Sequence, residues 1–232
     1  MRGMAEGVRR RVTRLPREQR VRDIEAAARD AFVANGYAGT AVADIAARAG
    51  VAEGTVYTFF PTKRDLVIRV VELWYEAMLR DFMVALPAIH GAANKMRFII
   101  RQHLKSLHDN RELARLCSNE VRNEGDYYQG ALYAFNRRYT QVLIEVFREG
   151  VASGEFRSGV SAGLVRDLIF GGIDHHISAY LYGRGSFDID HSTAEFMNLV
   201  LAAIGKVTAD PPALDRLERV AARLEAAADQ LE

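Results

Sequence analysis

An all-α chain is the fold class that this sequence predicts, on three observations. Apolar residues recur at spacings of three and four along most of its 232 residues. No segment shows a convincing strand pattern. The stretch from Thr40 to Leu66, T-A-V-A-D-I-A-A-R-A-G-V-A-E-G-T-V-Y-T-F-F-P-T-K-R-D-L, reads as two short helices meeting at a glycine turn, with a third starting behind them.

Taken in order, residues 1–20 form an arginine-rich arm, with Gly7 and Pro16 discouraging a continuous helix. It is open to two readings, a solvated tail or an arm that lies along DNA phosphate or enters a minor groove. A helix follows to Asn35, with Val21, Ile24, Ala28 and Phe32 at turn spacing and Gly36 closing it. Thr40 is placed to cap the next helix by accepting a backbone N–H. Val42, Ile45 and Ala46 form that helix's apolar face, and Gly50 stands where the chain must turn left-handed. Residues 53–59 form a second short helix, turning Val56 and Phe59 or Phe60 inward. Thr62 and Asp65 make a capping-box-like start for a long helix that runs to Pro87.

Beyond Pro87, helices are expected over 94–109, 111–119, 126–150, 161–182 and 191–207. The run from Gly150 to Arg157 reads as a glycine-bearing break. After Pro211 and Pro212, Leu214, Leu217, Ala221, Leu224, Ala228 and Leu231 repeat as a short heptad pattern, either a marginal coiled coil or a helix packed on its own subunit. The expected organisation is an arm (1–20), a helix-turn-helix domain (21–66), a larger helical domain (67–210) and a C-terminal helical extension (211–232).

Composition narrows the function. No apolar run approaches the ~18 residues needed to span a bilayer, and the basic N-terminus lacks the apolar core of a secretory signal. Cys117 is the only cysteine, which rules out an intrachain disulfide and fits a reducing cytoplasm. The net charge of +1 is unevenly spread. Residues 1–69 carry 13 Lys or Arg against 8 Asp or Glu, so the front is basic and the rear mildly acidic. That polarity suits a protein touching nucleic acid at one end. A helix, a short glycine turn and a second helix present that second helix to a DNA major groove.

The front also carries a resemblance. Phe32-Val33-Ala34-Asn35-Gly36-Tyr37, Thr40, Ile45-Ala46, Ala49-Gly50-Val51, Gly54-Thr55-Val56-Tyr57, Phe60, Lys63 and Leu66 follow the order and spacing of the amino-terminal domain of TetR-family repressors. The match spans roughly residues 22–66. It departs at Ala52, where the family commonly has a serine that caps the recognition helix. The resemblance implies that Thr40, Glu53, Gly54, Thr55, Tyr57, Thr58 and Lys63 face DNA. Of these, Gly54 and Thr55 permit close approach to a groove, while Tyr57 and Lys63 suit phosphate. It also implies that the helix after Lys63 transmits ligand binding to the DNA-binding heads.

In the rear, polar groups are scattered among apolar ones. His103, Asn119, Asn123, Asn136, Tyr139 and His175, with Phe170, suit an apolar pocket with a few orienting contacts. Each is also readable singly as a satisfied core residue. The segments N-E-V-R, N-R-R-Y, E-G-V-A-S-G-E-F-R and V-R-D-L-I-F-G-G-I-D-H-H resemble the ligand domain of FadR-type TetR repressors. That resemblance implies an acyl-coenzyme A effector, with Arg122, Arg137, Arg138 or Arg166 able to pair its phosphates. A drug or aromatic effector controlling an efflux gene is the alternative.

Gly171 and Gly172 in mid-helix cost about 1 kcal/mol each against alanine, so a close backbone approach is expected there. Together with the apolar face of Phe196, Val200 and Ala203 they suit a four-helix homodimer interface, which is also how TetR proteins pair. Plain intrachain core is the alternative.

Gly159-Val160-Ser161-Ala162-Gly163 matches the nucleophile elbow of hydrolases, with Asp174 and His175 downstream. An elbow needs a preceding strand, so Ser161 is better read as a helix cap. No metal or cofactor is expected. The chain therefore reads as a cytoplasmic, non-enzymatic, ligand-responsive repressor that binds a palindromic operator as a homodimer. A DNA-binding protein without an effector is a further rival.

Overall fold

The computed structural model describes residues 16–122 and 127–206. Residues 1–15 of the basic arm, Asn123 and the extension at 211–232 lie outside the described residues. Those described are helical throughout, with one isolated bridge between Phe156 and Gly205. The α-helices are α1 (Arg17–Asn35), α2 (Val42–Ala49), α3 (Glu53–Phe59), α4 (Lys63–Ala85), α5 (Ala92–Asp109), α6 (Arg111–Leu116), α7 (Ala131–Ser153), α8 (Ala162–Leu181) and α9 (Ile189–Ile204).

They form two compact units. The described residues of the first fall within Met1–Asp81, Ser106–Tyr139 and Ser178–Ser186. Its core at the front is built by Ile24, Ala28 and Phe32 of α1, Val42 and Ile45 of α2, and Val56 of α3, all buried. Apolar spacing therefore gives α1 to α3 one common interior. Gly50 ends α2 at φ 68 and ψ 30, a left-handed turn that a Cβ would strain. Thr62 and Asp65 start α4 reciprocally: Thr62 N–H donates to Asp65 Oδ2 at 2.9 Å, and Asp65 N–H donates to Thr62 Oγ1 at 3.1 Å.

The expected cap at Thr40 is not made. Ala41 is the N-cap of α2 and no side chain bonds there. The Thr40 hydroxyl instead reaches back to the carbonyls of Gly36 (2.7 Å) and Ala31 (3.1 Å), tying the α1–α2 connection to the end of α1. After α6, residues Cys117–Val121 continue as a π-turn rather than an α-helix.

The second unit has its described residues within Phe82–Lys105, Thr140–Ile177 and Phe187–Glu232. Met96, Ile99, Ile100, Leu104, Leu143, Ile173, Ile177 and Met197 are buried in it. The break expected from Gly150 to Arg157 begins later: α7 runs on to Ser153, and the chain turns at Gly154 with φ 80. Gly150 is buried under the Phe156 ring, which a Cβ would overlap, so the glycine serves a close approach rather than a turn.

Glu155 caps α5 across a long sequence gap. Its carboxylate accepts the N–H groups of Ala92 (2.9 Å) and Ala93 (3.1 Å). These bonds hold the carboxyl below the usual glutamate range. A depressed folded value means stability that is present at neutral pH and lost as pH falls from about 4.5 through that value. Glu155→Ala is expected to cost about 1 kcal/mol at pH 7, read as a fall in Tm of about 2–4 °C. The gap to the native protein narrows in acid; a gap that widens below pH 4 would refute the assignment.

Candidate nucleic-acid interface and ligand-domain clusters

At the front, α3 carries an exposed row. Glu53, Gly54, Tyr57 and Thr58 are exposed, and Thr55 is half-buried. Open space surrounds the position a Gly54 Cβ would take, so a flat partner can come close to that turn of helix. The Thr58 hydroxyl donates to the Gly54 carbonyl at 2.8 Å and keeps its lone pairs for a partner. Tyr57 is 44% exposed, high for a tyrosine with no function in the interior. Ala52, the N-cap of α3, offers no side-chain bond, so one backbone donor lacks the serine cap common at this position.

Lys63 opens α4, where the helix dipole disfavours a cation. Its Nζ lies 4.4 Å from the Tyr37 ring centroid, and Tyr37 stacks on Phe32 at 6.0 Å. The aromatic face offsets the dipole and holds the ammonium over Tyr37. Tyr37 was legible in the sequence only as part of the family motif; its role beneath Lys63 was not. Thr40 is 3% exposed, and its hydroxyl is engaged inside the protein with the carbonyls of Gly36 and Ala31 rather than turned outward with the α3 row.

Arg64, next in the chain, donates from Nη1 to the carbonyl of Glu120 at 3.1 Å. That carbonyl belongs to the π-turn after α6. Such turns are often found at functional positions. Close by in the same unit, Arg122 Nη2 donates to Tyr75 Oη at 2.7 Å, and Tyr75 meets Tyr139 edge to face at 5.5 Å. Arg64, the neighbour of Lys63, is thus bonded to a segment far along the chain, a link with no local sequence signal.

The residues expected to line a pocket divide between the two units. In the first, Asn136 Nδ2 donates to Tyr127 Oη at 3.1 Å, the Asn119 side-chain oxygen accepts from Tyr182 Oη at 2.6 Å, and Tyr139 is buried. Burial pushes the Tyr127 phenol upward, against the pull of Arg122 and Asn136. In the second, His103 is buried against Phe170 at 4.8 Å, edge to face, with Asp174 Oδ1 3.7 Å from its Nε2. His175 is exposed on α8. Among the arginines, Arg166 pairs with Asp167 (2.7 Å) and Arg138 lies over Phe135.

The expected dimer residues lie on α8 and α9. A Cβ at Gly172 would meet the Phe196 ring at 3.2 Å, a close approach inside the subunit, whereas open space surrounds Gly171. Val200 is half-buried and Ala203 exposed.

Ser161 does not support a hydrolase. Its Oγ accepts the Leu164 N–H at 3.3 Å as the start of α8. His175, the histidine a triad would set against Ser161, lies on that same helix, about 21 Å further along its axis at 1.5 Å per residue. A serine and a triad partner so placed cannot share a hydrogen bond.

An all-helical chain with an exposed short helix behind a left-handed glycine turn is a helix-turn-helix regulatory protein. Comparison with known proteins makes the class specific. Residues 24–70 match the bacterial regulatory proteins of the tetR family, and residues 76–203, over half the chain, match the YsiA-like protein C-terminal region. The fatty acid metabolism regulator protein of Bacillus subtilis is 26% identical over 77% of this chain and 92% of its own. The HTH-type transcriptional repressor KstR2 of Mycolicibacterium smegmatis is 22% identical over 60% of this chain and 68% of its own. The crystal structure of FadR from Bacillus subtilis in complex with stearoyl-CoA superposes with a TM-score of 0.70, covering 78% of this chain and 97% of that one at 26% identity. The chain belongs to the tetR family of bacterial regulatory proteins. It is a DNA-binding, ligand-responsive transcriptional repressor of that family.

Proposed function

We propose that this repressor binds a palindromic operator as a homodimer in the cytoplasm and is released by a long-chain acyl-coenzyme A. The observation that carries the effector is the likeness, over 78% of this chain, to a protein crystallised with stearoyl-CoA, which extends through the rear helices and not only the DNA-binding front. An apolar effector also suits the aromatic character of the rear, where buried Tyr139 and the His103–Phe170 pair offer few polar groups in apolar surroundings. Homodimer formation is supported by Leu164 (54%), Leu168 (65%) and Leu199 (72%), apolar side chains left exposed on α8 and α9. A dimer places two copies of α3 one helical turn apart, which is what a palindrome requires.

In the proposed mechanism Tyr57 and Lys63 hold phosphate, while Glu53, Gly54, Thr55 and Thr58 face the groove. Effector binds the non-DNA-binding arrangement more tightly and draws the population toward it. The single uninterrupted helix α4 begins at Lys63, and the Arg64–Glu120 bond ties its start to the turn after α6. Those two connections are the proposed route of coupling.

The test is fluorescence anisotropy of labelled promoter DNA titrated with protein, then with stearoyl-CoA, coenzyme A or stearate. Stearoyl-CoA is expected to release the DNA at least tenfold more effectively than either fragment. Release by an aromatic drug and not by stearoyl-CoA would overturn the effector. A monomer in sedimentation at micromolar concentration would overturn the dimer.

A further inference from the structure

A cleft of about 410 Å³ opens in the first unit, apart from the clusters described above. One wall is α1, through Arg22, Glu25 and Arg29, which share a face at spacings of three and four. The floor is α4, through Leu73, Trp74, Ala77 and Met78. The far wall carries Ser106 and Asn110. These polar groups are already engaged: Trp74 Nε1–H donates to Ser106 Oγ at 2.9 Å, and Asn110 Nδ2 donates to the Ser106 carbonyl at 3.0 Å. They set the shape and leave an apolar floor for an occupant.

The charges on the rim are unequal. Glu25 is neutralised by Arg69 at 2.7 Å. Arg22 has only the Gln19 amide at 2.9 Å and a 3.8 Å contact with Glu18. Arg29 is exposed, with no hydrogen bond or ion pair among the described residues. Against these two guanidinium groups stands one carboxylate unengaged among the described residues, Asp81. The balance favours an anion. The volume is near the lower end of small-molecule sites, which favours a compact ligand.

We propose that this cleft binds a small amphipathic organic anion, its apolar body along Leu73, Trp74 and Ala77 and its head on Arg29 and Arg22. Nothing in this assignment depends on acyl-coenzyme A being the effector. It would be a second input, on a surface whose walls include the helix that packs over α2.

Trp74 is the chain's only tryptophan and lines this cleft, so its emission responds to an occupant there. The full-length protein is titrated with decanoate, 1-decanol and decylammonium. Decanoate is expected to change the emission saturably, with the alcohol and the amine at least tenfold weaker. Arg29→Gln, an exposed substitution, should weaken decanoate at least tenfold, and Ala77→Phe should abolish it by filling the floor. Protein presaturated with stearoyl-CoA should still bind decanoate. No saturable change, equal binding by the amine, an unaffected Arg29→Gln protein or competition by stearoyl-CoA would each overturn the proposal. Failure of stearoyl-CoA to release DNA, with decanoate still bound, would sink only the effector reading.

Discussion

Replacing Tyr57 and Lys63 with alanine is expected to lower affinity for duplex DNA by about a hundredfold, because charge-assisted phosphate bonds disappear from each head. The slope of log affinity against log salt should become shallower by about one for each Lys63 removed, while the loss of neutral Tyr57 lowers affinity without changing the slope. Discrimination between sequences should change little, because phosphate contacts position the protein without reading bases. Thr55, which faces the groove in the same proposal, supplies the contrast: Thr55→Val should relax preference at a base while leaving the salt slope alone. Tyr37→Leu should behave as a weaker Lys63→Ala, since the ring beneath the ammonium is removed and the charge is not. Fluorescence anisotropy at several salt concentrations separates these cases. An unchanged affinity in the Tyr57, Lys63 double variant would remove α3 and the start of α4 from the DNA interface.

The second large effect is expected at Arg69, which joins α1 to α4. Its Nε donates to Glu25 at 2.7 Å, and its Nη1 reaches Glu76 at 3.1 Å and Glu72 at 3.3 Å. Burial opposes the guanidinium charge, but the hydrogen bond and charge of Glu25, with Glu72 and Glu76, outweigh it and push the group further into its protonated range. Removing one member of a partly buried network leaves the others uncompensated. Arg69→Met is therefore expected to cost about 3 kcal/mol in urea unfolding, or about 6–12 °C in Tm. Adding Glu25→Gln to that variant should restore part of the stability, because it removes one of the stranded carboxylates. A double variant no more stable than the sum of the two single effects predicts would show that the network does not act as a unit. Its neighbours in the fold give the effect a functional reading: α1 packs on α2, and its Arg17 lies over Phe59 of α3, so loosening α1 from α4 should also weaken DNA binding at constant folded fraction.

The helix-turn-helix was legible because its signals are local. Gly50 needs a positive φ, Thr62 and Asp65 bond each other across three residues, and Val42, Ile45 and Val56 repeat at the helical period. Each can be recognised from a few residues without knowing what lies opposite. Thr40 shows where that stops. Its type and place fit a cap, but the Ala31 carbonyl lies nine residues back and competes successfully for the hydroxyl. Gly150 is similar: a glycine at the head of G-V-A-S-G-E-F-R suggests a break, and only the placement of Phe156 shows that the residue is small because a ring rests on it.

The candidate ligand residues were legible as a set of polar groups on apolar faces, yet their partners were not. Asn119 and Asn136 each meet a tyrosine hydroxyl, His103 meets Phe170, and His175 turns outward on α8. Periodicity assigns a residue to a face but not that face to a neighbour. By itself the sequence determined the helical class, the order of the helices, the glycine turn and the basic front, because each depends on backbone preference or on charge along the chain. The tertiary structure alone decided the seating of Lys63 on Tyr37, the Arg64 bond to Glu120, the Arg69 network and the cleft beside Trp74. Those depend on which side chains meet across long loops, and a hydrogen bond or a void carries no imprint in the local sequence on either side of it.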